Sequence, residues 1–254
     1  MKACPKCQAE MDDDERICPQ CGHQAAKQGL FATVFASFKP KTAIGYIDQA
    51  MDYFNRRDFS RAIVAYGKAF QLDPALIPLH QAKLVQAHQY RADEYMRQRD
   101  AKRAIADYTE AIRLNPDSAV SWYGRGVAYI RLDRIDEALA DCTEAIRLQP
   151  DYYPAYMGRA ECFLKKGDLE RAIADDTEAI RIQPNNAPAF RGRGQLFSQK
   201  GAHDQAIADF TEAIRLDPDN PQSYILCAKE YRAIGDNANA ARDEQQGRDK
   251  GRKR

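Results

Sequence analysis

Large and small apolar residues recur at fixed positions over most of the chain. In successive windows of equal length, such as 119–152, large or aromatic residues occupy the fourth and eleventh positions, as Trp122 and Tyr129 do. Small residues occupy the eighth, twentieth and twenty-seventh positions, as in Gly126, Ala138 and Ala145. Spacings of three, four and seven positions lie on one face of a helix. A turn in mid-window and a proline near its end divide each window into two predicted helices.

A nearly identical octapeptide supports the register of these windows. It reads TEAIRLNP, TEAIRLQP, TEAIRIQP and TEAIRLDP at 109–116, 143–150, 177–184 and 211–218. A unit that cannot bury its apolar face alone must stack on copies of itself, which a catalytic motif does not need to do. The predicted windows are 43–76, 85–118, 119–152, 153–186, 187–220 and 221–254.

This period and residue pattern resembles the tetratricopeptide repeat (TPR) over residues 43–254. The resemblance implies an all-α fold, a right-handed helical solenoid of antiparallel helix pairs. It also implies a concave groove that is lined by the first helix of each pair.

Two departures from the repeat lead to separate predictions. Eight extra residues, IPLHQAKL at 77–84, precede the second window and favour a first helix lengthened by about two turns. In the last window, Glu244 and Gly247 replace packing residues of the second helix. A polar outer helix suits a terminal cap, because nothing stacks on it.

Arginine at the seventh position of a window coincides with aspartate at the twenty-third. The first window has neither and carries Gln49 and Ala65 instead. An arginine at a position that is usually apolar in this family needs a partner. We predict a ladder of partly buried pairs that serves register more than stability, with a chance arrangement on the surface as the alternative. The pairs are Arg91–Asp107, Arg125–Asp141, Arg159–Asp175 and Arg193–Asp209.

Four of the seven cysteines form two C-x2-C pairs near the start of the chain. Because no secretion signal is evident, these pairs indicate a metal site rather than disulfides, and four thiolates can close a tetrahedron around Zn²⁺. Residues 1–24 resemble a zinc ribbon of the CPxC…CPxCG kind, although Gln8 replaces the usual glycine. We expect a structural zinc, with redox-active or metal-free cysteines as the alternative. The expected ligands are Cys4, Cys7, Cys18 and Cys21.

Composition and the remaining residues favour a soluble, cytoplasmic protein without catalysis. Charged residues make up 30% of the chain and the formal net charge is +1, so no overall field attracts nucleic acid or membrane. No apolar run reaches the roughly 20 residues that span a bilayer. The four histidines fall in different elements, without a matched serine or cysteine.

The expected function is therefore that of an adaptor or scaffold. In this interpretation a protein or peptide segment binds in the groove, and the zinc ribbon is a second docking module. The groove lacks the lysine, asparagine and arginine set with which some family members clamp a terminal carboxylate. The alternative is association with nucleic acid through the ribbon, but residues 1–24 are net acidic, which phosphates would repel. The predicted groove residues are Val120, Tyr123, Val127, Ile130, Met157, Leu164 and Arg191.

Residues 25–42 form a predicted linker with a short amphipathic helix over 29–38. Phe31, Val34, Phe35 and Phe38 share one side of that helix. We expect this side to pack on the first window, either capping the solenoid or filling part of the groove. Shallow contact with a membrane is the alternative.

Overall fold

The computed structural model describes residues 42–252 and, in the N-terminal part, residues 2–3 and 10–11. Strands β1 (Lys2–Ala3) and β2 (Glu10–Met11) pair antiparallel, with Lys2 opposite Met11. The chain between them contains Cys4 and Cys7. The four predicted zinc ligands, Cys4, Cys7, Cys18 and Cys21, and the predicted helix 29–38 lie outside the described residues.

Residues 42–252 fold into twelve α-helices, which form six antiparallel pairs. A short 3₁₀ turn (Pro74–Leu76) precedes the third helix. The helices are α1 (Ala43–Asn55), α2 (Phe59–Leu72), α3 (Ile77–Arg97), α4 (Ala101–Leu114), α5 (Ala119–Arg131), α6 (Ile135–Leu148), α7 (Tyr153–Lys165), α8 (Leu169–Ile182), α9 (Ala187–Gln199), α10 (His203–Leu216), α11 (Pro221–Ala233) and α12 (Asn237–Gly251).

The turn inside each pair depends on one residue in the left-handed conformation, at the fifteenth position of every window. Glycine supplies it in the last three turns, for example Gly167 at φ 79°, and has no Cβ to resist it. The next residue often caps the second helix, as Asp168 does by accepting from the Arg171 amide at 3.0 Å. Arginine or aspartate takes the left-handed position in the first three turns, at Arg57, Arg99 and Asp133.

The small residues of the repeat allow the two helices of each pair to pack closely. Ala138 and Ala145 are fully buried in α6. A Cβ on Gly126 in α5 would lie only 3.1 Å from the Cys142 sulfur and 3.4 Å from the Ala138 carbonyl oxygen. The backbone of α5 therefore approaches α6 more closely than a larger residue would allow.

Each second helix packs against the first helix of the next pair, so that the pairs form a continuous stack. First helices of neighbouring pairs also contact one another, from α3 through α5, α7 and α9 to α11. These first helices form the inner layer of the stack. The predicted all-α repeat solenoid is confirmed.

Both departures from the repeat appear as the sequence predicts. The eight extra residues begin α3, a single helix of 21 residues. At the other end, α12 packs on α11, and a Cβ on Gly247 would lie 3.3 Å from atoms of Tyr224 and Ile225. The glycine thus allows close packing of a polar terminal helix.

Candidate binding groove

The inner layer of first helices presents a row of apolar side chains that the sequence assigned to a groove. Val120, at the start of α5, is 48% exposed. It lines a depression of about 480 Å³ together with Gln81, Val85 and Gln89 of α3. The lengthened α3 therefore forms one wall beside Val120.

Further along the inner layer, the apolar side chains are half-buried. The Tyr123 ring rests against the backbone of Gly158 and meets the Tyr152 ring edge-on, with centroids 5.5 Å apart. Burial raises the pKa of the Tyr123 hydroxyl. Val127 and Met157 also retain partial exposure. These side chains can contact an apolar ligand while remaining fixed by their neighbours.

Ile130 extends this row into the core, whereas Leu164 is half-buried. Ile130 is only 8% exposed and packs with Ala138 and Cys162, so it supports the floor from below rather than facing a ligand. Leu164 packs on a cluster that includes Phe163 and Leu196. The sequence pattern did not distinguish the two depths.

Arg191 of α9 has an unusual environment. Its Nη1 atom is buried and has no hydrogen-bond partner. A buried donor without an acceptor carries a desolvation penalty that is larger for a charged group. The position of Arg191 in its window predicts a place in the groove, but no feature of the sequence indicates that its guanidinium lacks a partner.

The predicted arginine–aspartate ladder is present in all four repeats. Each guanidinium donates two hydrogen bonds to one carboxylate, and the donor–acceptor distances are 2.6–2.9 Å. The aspartate side chains are 6–9% exposed and the arginines 15–22%. The pairs are Arg91–Asp107, Arg125–Asp141, Arg159–Asp175 and Arg193–Asp209. The alternative of a chance surface arrangement is wrong, because these carboxylates are buried.

The ladder also connects neighbouring repeats. Arg125 of α5 donates to the hydroxyl of Thr109 in α4 at 3.2 Å, and Arg193 of α9 donates to Thr177 in α8 at 3.1 Å. The bonds to Asp141 raise the pKa of Arg125. Burial nevertheless raises the pKa of Asp141, and the Arg125 bonds offset that effect only in part.

Asp176 of α8 is a buried carboxyl group outside the ladder. It is 5% exposed and takes the position that Tyr108 and Phe210 hold in other repeats. One of its oxygens lies 2.9 Å from the place where a Cβ on Gly192 would be. Burial, and then the neighbouring Asp175, raise the pKa of Asp176 to about 7.

Two histidines bond to buried carboxylates, and the repeat pattern gives no sign of these contacts. His88 Nδ1 lies 2.8 Å from Asp107 of the ladder. His203 Nδ1 lies 2.7 Å from Glu230, which also accepts from the Ser198 hydroxyl at 2.7 Å. Serine and histidine thus share one carboxylate and do not bond to each other, an arrangement that does not activate a nucleophile.

The three cysteines of the helices, Cys142, Cys162 and Cys227, are buried thiols. Contact with Cys162 and burial raise the pKa of Cys142, while burial and a bond to Asp243 raise the pKa of Cys227 to about 12. Within the described residues, no three His, Cys, Asp or Glu side chains are arranged to hold a metal ion. None of the helices in residues 42–252 has both the length and the hydrophobicity to cross a bilayer.

Comparison with solved structures finds many similar folds, among them two that are described as TPR proteins. PilF of Pseudomonas aeruginosa superposes with a TM-score of 0.61 at 19% identity, over 80% of this chain and 89% of that one. A thermophilic TPR protein of Thermus thermophilus gives 0.57 at 21% identity, over 65% and 91%. YrrB, a TPR protein with an unusual peptide-binding site, gives 0.52 at 19%, over 65% and 84%. At these identities the likeness concerns the fold alone.

Comparison with family models identifies both parts of the chain, whereas a search of curated proteins finds no match. Three tetratricopeptide-repeat models match residues 91–153, 133–192 and 187–220. A zinc-ribbon domain model matches residues 4–24. The chain is therefore a tetratricopeptide-repeat protein with an N-terminal zinc-ribbon domain.

Proposed function

We propose that this chain is a non-catalytic adaptor that binds a segment of a partner protein in the concave groove. The observation that carries the proposal is the row of partly exposed apolar side chains on α5 and α7, followed by the unpartnered Arg191 on α9. Apolar surface held open beside a few polar groups is typical of a ligand site. The proposed contacts are Val120, Tyr123, Val127, Met157, Leu164 and Arg191, with Ile130 supporting the floor.

Two further points support this function. YrrB is described as a TPR protein with a peptide-binding site, and it shares the fold of this chain. Among the described residues, no serine or cysteine is hydrogen-bonded to a histidine, which would be a sign of nucleophilic catalysis. Binding without chemistry is the function that this groove supports best.

Affinity capture with groove variants tests the proposal. Val127→Asp combined with Met157→Asp places two charges on the apolar floor, and we expect the proteins captured by the wild-type chain to be lost. Ala140→Asp is the control, because Ala140 is exposed on α6, outside the inner layer. Capture of the same proteins by all three chains would contradict a groove-based function.

We further propose that Cys4, Cys7, Cys18 and Cys21 hold one structural Zn²⁺ and that the ribbon is a second docking module. The pairing of β1 with β2 supports this, because the connection between the two strands contains the first C-x2-C pair. Four thiolates also match the coordination that Zn²⁺ prefers in structural sites. Such a ligand set is closed, so these residues fix the fold of the ribbon and leave no position for a substrate.

A further inference from the structure

The inner layer carries more positive charge than the rest of the chain. The concave positions are the second, fifth, ninth, twelfth and thirteenth of each window. From residue 85 onward, these positions hold six basic and two acidic residues, which is an excess of four positive charges. The formal net charge of the whole chain is only +1. The acidic residues are Asp93 and Glu161, and the basic ones are Arg97, Arg131, Lys165, Arg191, Lys229 and Arg232.

Three of these basic side chains have no bonded partner in the described part of the chain. Arg232 bonds to Glu244 at 2.5 Å, and Lys165 reaches the exposed Asp133 at 3.5 Å. Arg97 donates to a backbone carbonyl of its own helix. No hydrogen bond or ion pair of residues 42–252 involves the remaining three, which are Arg131, Arg191 and Lys229.

Arg191 differs from the other two because part of its guanidinium is buried. Elsewhere the fold gives its partly buried arginines two bonds to a carboxylate, as Arg193 has to Asp209 at 2.8 Å. No ion pair joins Arg191 to the buried Asp176, which lies against the next residue, Gly192. The Nη1 atom itself is shielded, but Arg191 as a whole is only partly buried, so an acceptor from a ligand would bond to its other unpaired donors.

We propose that the groove selects an acidic polypeptide segment. An apolar side chain of the segment lies on the floor formed by Tyr123, Val127 and Leu164. A carboxylate one repeat further along bonds to Arg191, and further acidic residues face Arg131 and Lys229. This inference rests on the proposed function and names the chemistry of its partner.

A peptide fits this surface better than a nucleic acid does. The exposed carboxylates Asp93 and Glu161 interrupt the basic positions and would repel a continuous phosphate backbone. The Tyr123 ring packs on Gly158 and meets Tyr152, which leaves less of the ring for a base to stack on. A peptide whose carboxylates are spaced among apolar residues presents no continuous row of phosphates and needs no ring on which to stack.

Selection from a random library of displayed dodecapeptides provides the test. The full-length protein, loaded with zinc, is compared with the variants Arg191→Gln and Arg191→Lys. Arg147→Gln is the control, because Arg147 is exposed on α6 and paired with Glu144. Circular dichroism of each variant confirms that it is folded before selection.

We expect the wild-type chain to enrich peptides that combine net negative charge with an apolar residue. Replacing Asp and Glu by Asn and Gln in these peptides should weaken binding about tenfold, the scale of one charge-assisted hydrogen bond. Arg191→Gln should abolish this preference, Arg191→Lys should retain part of it, and Arg147→Gln should leave it unchanged.

Other outcomes would overturn the inference, and they separate it from the proposed function. Enriched peptides that are neutral or basic, or amide versions that bind equally well, would refute the acidic preference and leave peptide binding intact. A twelve-base oligothymidylate that displaces the peptides at equal concentration would favour nucleic acid instead. If the wild-type chain enriched no peptide at all, both the inference and the proposed function would fail.

Discussion

The four Arg–Asp pairs place charge inside a stack that apolar residues could have filled. Burial raises the pKa of Asp141 even though Arg125 donates two bonds to it, so desolvation offsets part of what the pairing contributes. Because Thr109 and Thr177 bond to arginines of the following repeat, the pairs also fix how one repeat sits on the next. We therefore expect their role in register to be larger than their net contribution to stability.

The ladder leads to a prediction for single substitutions. Asp141→Ala would leave the guanidinium of Arg125 buried without its carboxylate, and we expect a loss of about 3 kcal/mol in the free energy of unfolding. Urea unfolding followed by circular dichroism measures it. Glu144→Ala, on the next turn of α6, removes the partner of the exposed Arg147 and should cost less than about 1 kcal/mol. Equal losses in the two variants would refute the ladder.

Asp176 makes the stability of the solenoid depend on pH. Its carboxyl group has a pKa of about 7 in the folded chain, well above the ordinary value for an aspartate. A raised carboxyl pKa means that the folded state resists ionisation. The free energy of unfolding therefore falls progressively as pH rises from about 4 to about 7.

Asp176→Asn removes the ionisation and keeps the shape of the side chain. We expect this variant to be more stable than the wild type above pH 7, by an amount on the order of 4 kcal/mol, and to match it near pH 4. Thermal melts between pH 4 and pH 8 measure the difference. Asp151→Asn, at an exposed position, should follow the wild-type profile. A constant difference between Asp176→Asn and wild type at every pH would show that Asp176 does not titrate in this range.

At the scale of elements, the first helix pair lacks the arginine–aspartate pair that the next four helix pairs have. Gln49 and Ala65 stand where the ladder pair would be, and a depression of about 330 Å³ lies there, also lined by Tyr53 and Val64. Ile44 and Met51 of α1 are exposed as well. These residues of the first pair are the nearest along the chain to the phenylalanines of residues 29–38, which lie outside the described residues.

We therefore retain the proposal that residues 29–38 pack on this first pair. Replacing Phe31, Phe35 and Phe38 by Ser should destabilise α1 and α2 by several kcal/mol, since a buried phenylalanine contributes about 1.5–3 kcal/mol. Faster amide hydrogen exchange in 43–72 would report it. The control changes Ala32, Thr33 and Ala36 to Ser on the other sides of the predicted helix. Unchanged exchange, together with lost binding to liposomes, would favour the membrane alternative instead.

At the scale of the whole molecule, the ribbon and the solenoid should depend differently on metal. A unit as short as the ribbon has too little core to fold alone, whereas the solenoid has a continuous one. We expect one zinc per chain by elemental analysis, lost in Cys4→Ser and Cys18→Ser and retained in Cys227→Ser. Chelation should leave the helical melting transition unchanged. A shifted transition would contradict a solenoid that folds independently of metal. Zinc retained by Cys4→Ser would contradict the proposed ligand set.

The sequence alone determined the repeat, its register and the ladder, because these features depend on local periodicity. A constant period with small residues at fixed positions admits one way of pairing helices, and α3 and α12 followed from the same reasoning. The partners Arg125 and Asp141 could be matched for the same reason, since the same separation along the chain recurs in every pair of the ladder.

Only the tertiary structure decided how deep each side chain lies and what it touches. Val127 and Ile130 are alike in sequence, yet Ile130 is buried because α6 and α7 close over it with Ala138 and Cys162. The missing partner of Arg191 and the burial of Asp176 depend on residues from neighbouring helices. Periodicity specifies the face on which a residue lies, whereas its neighbours across the interface fix its burial, its partners and its charge state.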